Sequence, residues 1–143
     1  MPRATYPFMQ LHEGARLRPY LPIEWYNPHE NKTFIAYSLA DTGADSCVLP
    51  GIIATQTGHN INGTGVLSEV SQGVGGVNVR TWKHTFRIRL KDLSFRNVFW
   101  ESEEQLIDCV EHSNIPPLLG VANFLSNFII TFDYKNSLTI LEY

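Results

Sequence analysis

Nine consecutive residues, Ser38-Leu39-Ala40-Asp41-Thr42-Gly43-Ala44-Asp45-Ser46, restrict what this chain can fold into more than any other stretch. An apolar, β-prone run leads in, Thr33-Phe34-Ile35-Ala36-Tyr37. A second, Cys47-Val48-Leu49, leads out and stops at Pro50-Gly51. The pattern is strand, sharp turn, strand, with a carboxylate, a hydroxyl and a glycine in a row at the turn. An aspartate in a turn normally faces water, but these flanks draw Asp41 toward the interior. A carboxylate held there without a cation shares a proton with another acid or gives up its charge. The stretch therefore points to carboxylate acid–base chemistry.

The rest of the chain is patterned for strands. Val77, Val79, Thr81, His84, Phe86, Ile88 and Leu90 fall mostly on a period of two, which predicts a long strand over 77–90. Further strands are predicted over 33–40, 46–49, 93–100 and 63–70, the last with Gly65 as a bulge or kink. A C-terminal hairpin is predicted over 128–134 and 137–143, around Lys135-Asn136. Residues 52–57 read as a connection ending at Gly58. Leu106, Ile107 and Val110 are spaced as in a short amphipathic helix or an irregular loop over 101–111, and 121–126 reads as a short helix.

Pro2, Pro7, Pro19, Pro22 and Pro28 exclude a long helix from the N-terminal region and argue against a central strand there. Residues 1–32 are expected to form an extended arm. It would pack on the domain through Tyr6, Phe8, Tyr20 and Trp25 and carry an edge strand near 17–23. Residues 33–143 then make a single all-β, barrel-like domain. A chain of 143 residues, 43% of them hydrophobic, is long enough to bury one core.

Three segments carry chemistry. In the first, Asp41 is the acid. Gly43 leaves backbone N–H groups free to bond it and lets the chain come close to a ligand. The second is Gly73-Val74-Gly75-Gly76-Val77, a glycine-rich tip between two β-prone runs, where backbone rearrangement meets a low barrier. The third is Pro117-Leu118-Leu119-Gly120 followed by Asn123-Phe124-Leu125, an apolar strand end running into the short helix expected over 121–126.

In type and order these segments resemble the retropepsin-type aspartic proteases, and the match frames roughly residues 33–143. The resemblance implies an acid-protease lobe: a closed barrel with one short C-terminal helix and a flap hairpin. It implies that Asp41, Thr42 and Gly43 form the catalytic turn, and that Ala44, Asp45, Gly73, Val74, Gly75, Leu118 and Leu119 contact substrate. Asp-Thr-Gly occurs once, whereas the chemistry needs two carboxylates sharing one proton. A homodimer with one Asp41 from each subunit is therefore expected, acting on an extended polypeptide as an aspartic endopeptidase. The alternatives are a catalytically silent dimerisation or peptide-binding module, and a zymogen-like form whose N-terminal arm blocks the site. One departure is plain. Where the family carries an arginine after the glycine, this chain has Val121-Ala122-Asn123, so Asp45 needs another partner, with Arg80, Arg87 and Arg89 candidates by charge.

Other classes find little support. The net charge of −3 and the lack of a basic cluster leave no footprint for nucleic acid. No phosphate-binding or dinucleotide glycine pattern is present. No apolar run is long enough to cross a bilayer, so no membrane partner is expected. No signal peptide is visible near Pro2 and Arg3, and a cytoplasmic location with Cys47 and Cys109 reduced is the expectation. His12, His29, His59, His84 and His112 lack metal-ligand spacing. No metal or cofactor is expected, and Asp108 and Glu111 read as a solvated face.

Overall fold

The alternation over 77–90 becomes one long strand that four others share. In the computed structural model, which describes residues 1–72, 76–111 and 114–143, the chain runs β1 (Arg3–Pro7), β2 (Tyr20–Asn27), β3 (Lys32–Ala40), β4 (Val48–Pro50), α1 (Gly51–Gln56), β5 (Ser68–Gln72), β6 (Asn78–Lys91), β7 (Val98–Glu101), β8 (Gln105–Val110), β9 (Leu118–Leu119), β10 (Ile129–Asp133) and β11 (Leu138–Glu142). β6 pairs with β5, β7, β8 and β2 along different parts of its length. The order β2-β3-β9-β4-β8-β6 returns to β2, which closes a barrel of six strands.

The inward face of β6 supplies Phe86, Ile88 and Leu90, all fully buried, and β2 supplies Leu21, Ile23 and Trp25. Burying a side chain of this size stabilises by roughly 1.5–3 kcal/mol, so these six positions dominate the core. Trp25 meets Phe86 edge to face at 6.3 Å and donates its indole N–H to Ser38 Oγ at 3.2 Å. The polar end of the largest core side chain is thereby satisfied.

β1, β11 and β10 form a second antiparallel sheet. It is tied to the barrel by the Tyr6 hydroxyl, which donates to the Lys91 carbonyl at 2.6 Å, and by aromatic packing of Trp100, Phe124, Phe128 and Tyr143.

Several local expectations change. The N-terminal region supplies β2, a barrel strand paired on both sides, where at most an edge strand near 17–23 was expected. Pro22 is tolerated because pairing with β6 starts one residue later, at Ile23, so the missing N–H interrupts no bond of that ladder. Residues 105–110 form strand β8, not a helix or loop. Cys109 joins Ile107 as a buried residue, and β4 and β6 offer ladders on either side. Residues 52–57 lie mostly within α1, the only α-helix among the described residues. Over 121–126 the chain makes tight turns that end in a 3-10 turn, Leu125–Asn127. Phe124, at φ −135° and with its ring in the core, departs from helical geometry. The strand expected from residue 63 starts only at Ser68, and Gly65, at φ +83°, lies in a turn before it instead of within a strand. Both cysteines are buried and free. Among the described residues no helix is long and apolar enough to cross a membrane.

Candidate active site

Asp41 stands where β3 leaves the barrel. β3 runs parallel to β9, with Leu39 opposite Leu118 and Ala40 opposite Leu119. The pairing continues past the strand end: the Asp41 N–H donates to the Leu119 carbonyl at 3.0 Å, and the Leu39 N–H donates to the Pro117 carbonyl at 2.8 Å. The backbone then turns sharply. The Ala44 N–H donates to the Asp41 carbonyl at 3.1 Å, and the Gly43 N–H donates to Asp41 Oδ1 at 2.9 Å. Oδ2 has no hydrogen-bond donor among the described residues. A Cβ at Gly43 would lie 3.3 Å from Oδ1, tight against the carboxylate. Asp41 is half-buried, while Thr42, Gly43 and Asp45 are exposed. The carboxylate is therefore fixed from behind and open in front.

A second layer holds the turn. Residues 120–123 lie against residues 44–47 with their backbones zipped together. The Val121 N–H donates to the Ala44 carbonyl at 2.9 Å and the Ala122 N–H to the Asp45 carbonyl at 2.8 Å. Asn123 Oδ1 accepts the Cys47 N–H at 2.8 Å. Its side-chain amide donates to Gln105 Oε1 at 3.1 Å, and its backbone carbonyl accepts from Gln105 Nε2 at 3.0 Å. Gly120 admits no side chain, since a Cβ there would sit 2.2 Å from the Ser46 carbonyl carbon. Its N–H points at Cys47 Sγ, 3.3 Å away. Burial pushes the Cys47 and Cys109 thiols up to about 12, so neither is a ready thiolate nucleophile.

Asp108, expected on a solvated face, lies behind the turn because β8 runs parallel to β4 with Asp108 opposite Val48. Its carboxylate accepts from the Ser46 hydroxyl at 3.0 Å and from Lys83 Nζ at 2.6 Å. That hydrogen bond raises the Lys83 ammonium above the ordinary lysine range. Asn123, Gln105, Asp108 and Lys83 were all missed as site residues. Only Asn123, three residues after the Gly120 expected to close the strand, carried a signal that could have flagged it.

The three arginines considered for Asp45 are engaged elsewhere. Arg80 donates to Ser68 Oγ, Arg87 meets Glu101, and Arg89 meets Glu24 and Glu101 while lying over the Tyr26 ring. Asp45 forms no ion pair among the described residues. Of the paired leucines, Leu119 is fully buried in the core, while Leu118 is half-exposed beside Leu39. Only Leu118 of the two can touch a ligand from the surface.

A groove of about 310 Å³ adjoins the turn, and Leu17, Arg18, Leu39, Asp41, Thr42 and Tyr134 are among the residues that line it. A larger pocket of about 420 Å³, between β6 and Ile115, does not include the turn. β5 and β6 pair from Ser68 opposite Trp82 to Gln72 opposite Asn78. Gly73, Val74 and Gly75 fall between them in sequence and lie outside the described residues. Among the described residues no three His, Cys, Asp or Glu side chains gather to hold a metal ion.

No protein-family model matches the sequence, and no curated protein matches it. Solved structures do match. A retropepsin-like aspartic protease from Rickettsia conorii aligns over 99% of this chain and 99% of its own, with a TM-score of 0.60 at 15% identity. The EIAV protease complexed with the inhibitor HBY-793 aligns over 77% of this chain and 88% of its own, with a TM-score of 0.46 at 18% identity. At such identities the likeness is one of fold, and the chain has the retropepsin-like fold.

Proposed function

We propose that this retropepsin-like chain is one half of an aspartic endopeptidase, completed when Asp41 of a second copy meets Asp41 of the first across a two-fold axis. The observation that carries the reading is the state of that carboxylate. One oxygen is fixed by the Gly43 N–H, the other is open, and the whole group is presented at a rigid, partly exposed turn. A single fixed acid facing outward is an incomplete site, and an identical acid on the axis completes it.

The chemistry follows from the pairing. Two carboxylates in contact cannot both ionise cheaply, so the pair holds one proton. The ionised member takes a proton from a water, which attacks the peptide carbonyl carbon. The protonated member donates to the carbonyl oxygen. The proton gained from water then passes to the departing amine nitrogen. Gly43 keeps the carboxylate in place throughout, and the layer built on Asn123 and Asp108 keeps the turn rigid. Substrate is an extended polypeptide, bound by strand addition beneath the β5–β6 hairpin. Gly73, Val74 and Gly75 cover it, and Ala44, Asp45 and Leu118 line its path. Replacing Asp41 with Asn tests the reading. Hydrolysis of an unfolded protein substrate disappears while the circular dichroism spectrum is unchanged. Cleavage that survives in Asp41→Asn contradicts it.

A zymogen-like variant of this reading has one observation in its favour: Leu17 and Arg18, from the N-terminal region, line the groove beside Asp41. Because β2 belongs to the barrel, removal of the arm has to stop before Tyr20. Mass spectrometry after incubation at mildly acid pH shows loss of an N-terminal fragment ending ahead of Tyr20 if the arm is a pro-segment, and an intact chain if it is not.

A further inference from the structure

We propose that the N-terminal hairpin loop, residues 10–17, selects substrate, and that the pocket beside it takes an acidic side chain of the polypeptide. The inference rests on the reading of Asp41 as a catalytic acid and adds which polypeptides that acid meets.

The loop is built into the fold. β1 before it pairs with β11 along its whole length, and β2 after it is a barrel strand. Met9 and Arg18 close the neck of the loop with a backbone hydrogen bond of 2.9 Å in each direction. Within it the Ala15 N–H donates to the His12 carbonyl at 3.1 Å, and Gly14 turns the chain at φ +81°. Just ahead of the neck, the Phe8 N–H donates to the Ser137 carbonyl at 2.7 Å. A loop held at both ends and across its neck has little backbone freedom left to lose when a ligand binds.

A pocket of about 380 Å³ lies against this loop. His12, Arg16 and Arg18 line it together with the apolar side chains of Leu39, Ile115 and Leu118, and no acidic residue is among its described lining. Arg16 and Arg18 are exposed, and neither forms an ion pair among the described residues. The chain as a whole carries a net charge of −3, so a lining with cations alone is a local feature. Guanidinium groups beside aliphatic surface suit a carboxylate on a short apolar stem. The stem covers the leucine and isoleucine side chains, and the carboxylate takes charge-assisted hydrogen bonds from the arginines. Arg18 and Leu39 also line the groove that holds Asp41. Leu39 precedes Asp41 by two residues, roughly 7 Å at strand spacing. An extended polypeptide with its scissile bond at Asp41 therefore reaches the pocket within about two or three residues. His12, Arg16 and Arg18 all precede the stretch that resembles the acid proteases, roughly 33–143, so this selection by charge belongs to the chain's own N-terminal region.

Matched peptides test the inference. A sequence that the full chain cleaves in an unfolded protein serves as template, and Glu, Gln or Lys is placed at each position within about three residues of the bond. Values of kcat/KM are compared within each enzyme, so only the order of the three peptides matters. At one position the parent cuts the Glu peptide about tenfold faster than the Gln peptide, and the Lys peptide slowest. The preference shrinks as salt is raised, because the arginines are exposed. Arg16→Glu inverts the order at that position, with Lys ahead of Glu. If Arg16→Glu fails to fold, the salt series on the parent carries the test. A parent that cleaves without favouring Glu at any position overturns the inference, as does a Glu preference that neither salt nor Arg16→Glu moves. An active form that has lost residues 1–19 overturns it as well. In each of these cases the protease reading stands if Asp41→Asn is inactive. A parent that cleaves nothing, like Asp41→Asn, overturns both.

Discussion

Asn123 Oδ1 accepts the Cys47 backbone N–H at 2.8 Å, joining the segment after Gly120 to the strand that leaves the Asp41 turn. A neutral amide, held in turn by Gln105, braces the loop without a charge. Asn123→Ala leaves a largely enclosed N–H without a partner, and thermal or urea unfolding should show a loss of about 1–3 kcal/mol. Asn123→Asp, which keeps an acceptor at that position, should lose less.

Gly120 is a stricter requirement. Any side chain there runs into the Ser46 backbone at 2.2 Å, and backbone cannot swing aside as a side-chain tip can. Gly120→Ala should destabilise by about 3 kcal/mol or more, measured by urea unfolding of whatever folds. Stability equal to the parent would mean that the two loops are not zipped as described.

The barrel and the acid turn were legible because each rests on local pattern. Alternation over 77–90 needs only a period of two, and Asp41-Thr42-Gly43 needs only its apolar flanks. What was illegible came from pairing across the sequence. β8 reads as a short helix or an irregular loop by the spacing of Leu106, Ile107 and Val110, until β4 and β6 supply ladders on both its edges. That same pairing carries Asp108 from a presumed solvent face to the back of the Asp41 turn. β2 was discounted for its prolines, since sequence does not show where a ladder begins, and here the ladder with β6 begins just after Pro22.

Asp108 couples the turn to Lys83. Asp108→Asn removes the charged partner of Lys83 and should cost about 1–3 kcal/mol at neutral pH. The Lys83 pKa is raised in the fold, first by its hydrogen bond to Asp108. Its contribution is therefore fully present below the unfolded value of about 10.4 and fades as pH rises through the folded value. The stability gap between parent and Asp108→Asn, followed by urea midpoint against pH, should shrink in that alkaline range.

His59 predicts the opposite limb. Its ring packs against His84 with centroids 4.6 Å apart and planes tilted by 43°, and it donates Nε2–H to the Thr85 carbonyl at 2.9 Å. Burial, reinforced by the neighbouring His84, lowers its pKa below 6.5. The neutral form is thus favoured in the fold, and the unfolded chain takes up the proton first as pH falls. Stability should hold above about pH 6.5 and decline below it. His59→Gln should show a shallower decline in urea midpoint over the same acid range.

The central claim is that two identical carboxylates from two chains make one catalytic site, and mixing measures it most directly. Parent chain and Asp41→Asn are combined in varying ratio at fixed total concentration, allowed to exchange subunits, and assayed for polypeptide hydrolysis. Pairing at random makes activity fall with the square of the parent fraction, so an equal mixture should retain about a quarter of the activity. A fall in simple proportion, with about half remaining in the equal mixture, would mean that each chain works alone and would contradict the account.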